Sequence, residues 1–483
     1  MVAPTRPEST SSVNLQKGAI GVIAAAALGS ILMSPALGIY SWFPAIMTTS
    51  GDVVPLIFLI ALLVSIPTAV SYALVSRHRP SAGSAYTWIS ETLTHRTGSW
   101  VGVIMALYYF GVLATMPVQF ALYFAEFLKY LGFGGSQYLA FIVGVVLSTA
   151  IVAALSYPNV KVSARGAVSF MAFESLVVIA LAATVAVRHA GQLNAKPLLF
   201  SSSTGGVTTL FGALIFGMLA FTGYDAVSTV AEETRTPRRL IPIAVVSALI
   251  LTAVFWIVTS YFLSYSASVA AVTKYVSEGV TPFGPIANLY WGRGSILVDI
   301  TGMTASLGVY IACTVGVARV IFRMGRDKVL PARLGTLHSR YLTPWNAMHL
   351  LFALAVVADL VGAAILGIYN SLLWIGATTV WFALITYLFV NVANFVFHRR
   401  IVPQEFHWFN NGVIPAIGVV VVLYLLYKGF FVAEWSAGFK MGQSVVLVSI
   451  ALTVLAAALV TIRFRGGPVA SQAVEDAQSF EPA

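Results

Sequence analysis

Apolar runs long enough to cross a bilayer recur from one end of the chain to the other, each closed by a short polar or basic stretch. They fall near 19–42, 53–75, 100–130, 136–156, 166–188, 207–231, 241–264, 294–325, 346–367, 370–397, 410–430 and 441–463. A spanning helix needs roughly 20 mainly apolar residues, so the pattern predicts an all-α integral membrane protein of about twelve helices. Residues 1–16 and 466–483 read as polar tails and 191–206 as a polar connection.

Two runs break their own pattern. In Ala24–Gly38, AAAALGSILMSPALG, Pro35 removes a backbone donor and clashes with the preceding turn, among small Gly29, Ser30, Ser34 and Ala36. In FGMLAFTGYDAVSTVAEETRTPRRLIP, from Phe216 to Pro242, an apolar helix meets Phe221-Thr222-Gly223-Tyr224-Asp225, where a glycine and an acid sit at membrane depth. An unpaired peptide group in hydrocarbon costs several kcal/mol, so a true interruption is tolerated only beside a cavity. A proline kink and a close-packing glycine are the plainer readings of the same residues. Two discontinuous helices at the first and sixth positions are expected if 17–190 and 207–400 are inverted repeats of five spans, with 401–465 supplying two more.

Composition agrees: 59% of the 483 residues are hydrophobic and 9% charged. The net charge of +10 is an orientation signal rather than a polyanion site. With both termini cytoplasmic, only Lys129, Arg188, Lys196, Lys274, Arg293, Lys428 and Lys440 of the 27 Lys+Arg lie outside, as the positive-inside rule requires. The expected location is the plasma or inner cell membrane. Cys313 is the single cysteine, so no intrachain disulfide forms, and residues 1–16 lack the apolar core of a signal peptide.

Charges inside the runs mark candidate chemistry. Glu174 in span five must be protonated, paired or facing water, and it is the candidate proton site. Asp299 and Asp359 lie nearer span ends, where interface solvation accounts for them. Arg319 and Arg323 share a helix face at the exit of span eight, and pairing with Glu232 or Glu233 after span six would make an inner gate; a solvated basic end is the alternative. The small-residue stretch 81–88 can lie close under the bundle, with Tyr86 and Trp88 at the interface. Thr301, Thr304 and Ser306 could help hold sodium, although hydroxyls in spans more often bond their own backbone. There is no HExxH, no histidine pair in a span and no GxSxG, so neither catalytic residues, metal nor cofactor are expected.

GYDAVSTVAEETRTPRRLIP (223–242), the segment 81–88 and ARVIFRMGRDKVLPARL (318–334) followed by Thr343-Pro344 resemble the amino acid, polyamine and organocation permease superfamily. The resemblance runs through most of 17–400. It implies a LeuT-type 5+5 inverted repeat with two additional helices, and a solute whose carboxylate rests on the break in span one and whose amine rests on the break in span six. Here those positions are Met33, Ser34 and Pro35, with Gly29 and Ser30 as the other candidate equivalents, and Phe221, Thr222 and Gly223, with Phe221 or Tyr224 as a cover. The family's glycine-serine-glycine is replaced by a stretch with Pro35, which favours a solute without a carboxylate, and Glu174 stands where proton-coupled members carry lysine. The function implied is secondary transport of an amino acid or related amine by alternating access, coupled to H+ or working by exchange. A sodium-coupled symporter and a polyamine or organic amine carrier of the same fold are the alternatives.

Overall fold

The computed structural model describes residues 30–81, 83–157, 160–233, 236–432 and 442–465. These residues are helical or in connecting turns, with no strand among them. Among the described residues, twelve helices are long and apolar enough to cross a membrane: Ser30–Ser50, Val54–His78, His95–Tyr130, Gln137–Ser156, Met171–Arg188, Gly206–Ser228, Pro237–Leu263, Phe283–Arg326, Trp345–Leu366, Ile368–Arg400, Trp408–Val432 and Gly442–Phe464. They are spans one to twelve below. The expected runs and these spans coincide to within a turn or so, except at the ends of spans one and eight, because apolar length is what a bilayer selects.

Span three is the longest unbroken helix, His95–Tyr130, and Thr94 caps it by accepting from the Thr97 N–H. It packs along span eight and span ten, while spans two and seven lie against each other. Burial sorts the bundle: the most apolar stretch of span eight is 94% enclosed, against 28% for spans nine and twelve. Spans one, three, six, eight and ten therefore make the interior, and four, five, nine, eleven and twelve turn a broad face outward. Exposed Leu, Ile and Val on those outer faces are what lipid contact requires.

Both expected interruptions are present. Span one stops at Ser34, restarts with Pro35 at the first helical position, widens into a π-helical turn over Gly38–Trp42 and ends at Gly51. Span six is α-helical to Phe221, breaks at Thr222 and Gly223, and continues as a tighter 3₁₀ helix from Tyr224.

Two expectations are corrected. Asp299 and Asp359 are not solvated at span ends: they are 5% and 0% exposed, and neither Asp359 oxygen has a hydrogen-bond partner among the described residues. Tyr86 and Trp88 are not interface anchors. Both are buried, Tyr86 donating to Asp327 Oδ2 at 2.7 Å and Trp88 to the Arg79 carbonyl at 2.6 Å.

Candidate functional site

Ser34 holds φ 41° and ψ 106°, a conformation that costs a non-glycine residue on the order of 1–3 kcal/mol and persists only where surroundings enforce it. Its hydroxyl supplies part of that enforcement, donating to Glu174 Oε1 at 3.1 Å and accepting from the Leu37 N–H at 3.2 Å. The serine thus caps the second half of span one. Glu174 reaches this point from span five and is 2% exposed; its other oxygen, Oε2, has no hydrogen-bond partner among the described residues. A carboxylate aimed at the start of a half-helix is placed where the helix dipole favours negative charge.

At the second break Thr222 is extended and Gly223 has φ 121°, a region open to glycine. The Gly223 N–H turns away from the helical ladder to Asp225 Oδ1, at 3.2 Å, and the Thr222 hydroxyl folds back on the Leu219 carbonyl at 2.6 Å. A methyl group on Gly223 would lie 2.9 Å from Leu32 Cβ and 3.1 Å from the Leu32 carbonyl carbon. The two broken spans therefore touch at the breaks, and the glycine is what permits it.

Trp256 of span seven joins the two breaks from the side. Its indole N–H donates to the Pro35 carbonyl at 2.9 Å, its ring meets Phe221 edge-on at 5.0 Å and stacks on Phe58 at 5.4 Å. Gly38 leaves room for it, since a Cβ there would sit 2.1 Å from the indole. Sequence reading missed this residue: a tryptophan in an apolar run carries no signal of what it touches.

One turn beyond the second break, Asp225 is fully buried among tyrosines. Tyr108 and Tyr109 of span three donate to it at 2.9 and 2.6 Å and Tyr387 of span ten at 3.1 Å. Tyr224 packs on Tyr387 and edge-on to Tyr72. One carboxyl thus ties span six to spans three and ten. The sequence marked Asp225, but only the fold shows that Tyr108, Tyr109 and Tyr387 meet it.

The remaining candidates fall as follows. Met33, Ser34, Pro35, Phe221, Thr222, Gly223 and Tyr224 all lie buried at or beside the breaks. Ser30 begins the described part of span one, and Gly29 lies outside the described residues. Arg323 Nε pairs with Asp327 Oδ2 at 3.3 Å, and Arg319 donates to the Val315 carbonyl at 3.3 Å. Their pairing with Glu232 and Glu233 falls on side chains outside the described set. Thr301 bonds the Leu297 and Val298 carbonyls and meets the Tyr40 hydroxyl at 3.1 Å, while Thr304 and Ser306 bond the Thr301 and Gly302 carbonyls, so all three hydroxyls are engaged with their own helix. Among the described residues no three His, Cys, Asp or Glu side chains gather as metal ligands would.

Comparison with known proteins places this architecture. A family model described as amino acid permease matches residues 20–462. The branched-chain amino acid permease BcaP of Bacillus subtilis (strain 168) is 26% identical, over 78% of this chain and 81% of that protein. The low-affinity putrescine importer PlaP of Escherichia coli (strain K12) is 27% identical over 80% and 82%, and the methylthioribose transporter of B. subtilis 24% over 79% and 82%. Among solved structures, the Eremococcus coleocola manganese transporter in complex with an aromatic bis-isothiourea substituted compound superposes with a TM-score of 0.56, covering 94% of this chain and 99% of that one. At 14% identity that likeness speaks for the fold alone.

Proposed function

The chain belongs to the amino acid permease family, a family of transporters rather than enzymes, and on that premise we propose that it carries an amino acid or related amine across the cell membrane by alternating access. Secondary transport by a multi-pass membrane protein with the LeuT-type fold is common ground with its relatives. Substrate and coupling are the proposal.

The observation that carries it is the contact between the two breaks. Peptide groups released from the helical ladder need partners in hydrocarbon, and those not already met by Asp225, Ser34 and Trp256 are the ones a polar solute held between half-helix ends would engage. The ends differ in sign: the start of a half-helix favours an anion, the finish a cation. At Ser34 the anionic role is already taken by Glu174, which supports a solute that offers an amine above all. Phe221, Thr222 and Gly223 then face the amine, with Tyr224 as the neighbouring aromatic cover. Met33, Ser34 and Pro35 line the opposite side with Ser30, and Gly29 precedes them.

Glu174 is the proposed proton site. It is enclosed, it has one oxygen without a partner, and it touches the hinge of span one, so gaining or losing a proton changes the capping of the mobile half-helix. The span holding Arg319 and Arg323, with Glu232 and Glu233 opposite, is proposed as the inner gate. The distribution of Lys and Arg supports a cytoplasmic position for both termini.

The test is uptake into liposomes of branched-chain amino acids, putrescine and other amines, with and without an imposed pH gradient. Saturable counterflow of an amine-bearing solute is expected, faster with the gradient and insensitive to it in Glu174→Gln. Uptake that ignores the gradient in the wild type removes the proton role; the absence of counterflow for every amine-bearing solute removes the substrate class.

A further inference from the structure

Where spans two and seven end together, at the basic end of the bundle, a hollow of about 680 Å³ opens between them. Arg77 and His78 line it from the finish of span two, and Arg238 and Arg239 from the start of span seven. Among the described residues its one acid is Glu405, half exposed and 3.5 Å from His78 Nε2. None of the three arginines has a carboxylate partner among the described residues.

Arg238 and Arg239 are also in an unfavourable place. They occupy the first turn of a 27-residue helix with no acid in that turn, where the helix dipole already adds positive potential. Positive charge from two helices and one helix end converges on a space where, among the described residues, a single carboxyl answers it. An anion resolves that imbalance.

The geometry beside the hollow says what kind of anion. Its wall continues into Pro242 and Ile243, and Ile243 begins an outward apolar stripe on span seven with Ile250, Leu251, Val254 and Val258, all 45–64% exposed. A basic socket at the end of a span, opening onto a lipid-facing stripe of the same helix, matches a molecule with a charged head and an acyl tail. We propose that this hollow binds the head group of an anionic phospholipid, with its phosphate held by Arg77, Arg238 and Arg239 and its acyl chain laid along span seven.

Such a site has a consequence for the carrier, because span seven also bears Trp256, which holds both breaks. A lipid bound at its start fixes the helix that positions the hinge of span one. The inference does not depend on the substrate or its coupling.

The experiment uses the purified full chain in neutral phosphatidylcholine vesicles or nanodiscs, titrated with phosphatidylglycerol and, separately, with inorganic phosphate, while the melting temperature is followed. A saturable rise with phosphatidylglycerol and none with phosphate is expected. In the double variant Arg238→Gln/Arg239→Gln the half-saturating lipid fraction should rise about tenfold or more. Arg293→Gln, a basic residue elsewhere on the surface, should leave the titration unchanged. If the double variant does not fold, Arg77→Gln alone must weaken the titration. An equal response to phosphate overturns the lipid assignment, and a phosphatidylglycerol response that survives loss of these arginines overturns the site.

Discussion

Removing the Tyr109 hydroxyl should loosen span six from spans three and ten, and the amount can be worked from the geometry around Asp225. Three tyrosine hydroxyls donate to this carboxyl, and Tyr109 makes the shortest bond, at 2.6 Å. Because the donors come from spans three and ten and the acceptor from span six, these bonds must break if the broken spans rock away from that scaffold. A hydrogen bond contributes about 1 kcal/mol net, and roughly 1.5–3 kcal/mol when one partner is ionised. Tyr109→Phe keeps the ring and its 4.5 Å stacking on Tyr108, so the loss is confined to the bond. A loss of about 1.4 kcal/mol raises the open population roughly tenfold when the closed state dominates. Cys313, the single thiol, is 3% exposed inside span eight, so its access to a reagent reports opening of the bundle. Labelling of Cys313 by a membrane-permeant maleimide should run about tenfold faster in Tyr109→Phe than in the wild type. A rate within twofold of wild type, in a variant with an unchanged melting temperature, would refute the latch.

The other expectations follow from single contacts. Trp256→Phe keeps ring packing but deletes the donor to the Pro35 carbonyl, and should lower transport by about tenfold while shifting stability by only ~1–2 kcal/mol, read by uptake and thermal unfolding together. Gly223→Ala places a methyl against the Leu32 backbone at φ 121° and should cost more than about 1 kcal/mol, whereas Gly132→Ala, also at positive φ but with open space around it, should cost less; thermal unfolding of both separates contact from strain. Outside the membrane, burial holds the Glu91 carboxyl above its ordinary value of 4.5 against the opposing pull of Arg79 and Arg323. The folded chain therefore binds that proton more readily than the unfolded chain, so this contribution is full below pH 4.5 and is lost as pH rises through the raised value. Glu91→Gln should flatten the melting temperature over that interval, and an unchanged slope would contradict it.

Much of the frame is written locally in the chain. Span positions follow from apolar length, and the breaks at Ser34-Pro35 and Thr222-Gly223 follow from residues that cannot continue a helix cheaply, which is why both could be expected from the sequence. The contacts that give the breaks meaning are not local. Glu174 and Ser34 are 140 residues apart, Trp256 and Pro35 221, Tyr387 and Asp225 162, and no periodicity within a span encodes which faces meet. Asp359 shows the opposite failure. Its position along span nine suggested solvation, but packing encloses it completely, because distance from a helix end says nothing about what a neighbouring helix covers. Tyr86 and Trp88 have the sequence position of aromatic anchors, whereas their polar tips are spent on Asp327 and Arg79 inside the protein.

Amide hydrogen exchange tests most directly whether the freed backbone at the two breaks is where the solute sits. With the amine-bearing solute that shows counterflow, residues 33–37 and 221–225 should both gain protection, and a related compound that gives no counterflow should protect neither. Protection confined to other spans, with exchange at both breaks unaltered by a transported solute, would contradict the account.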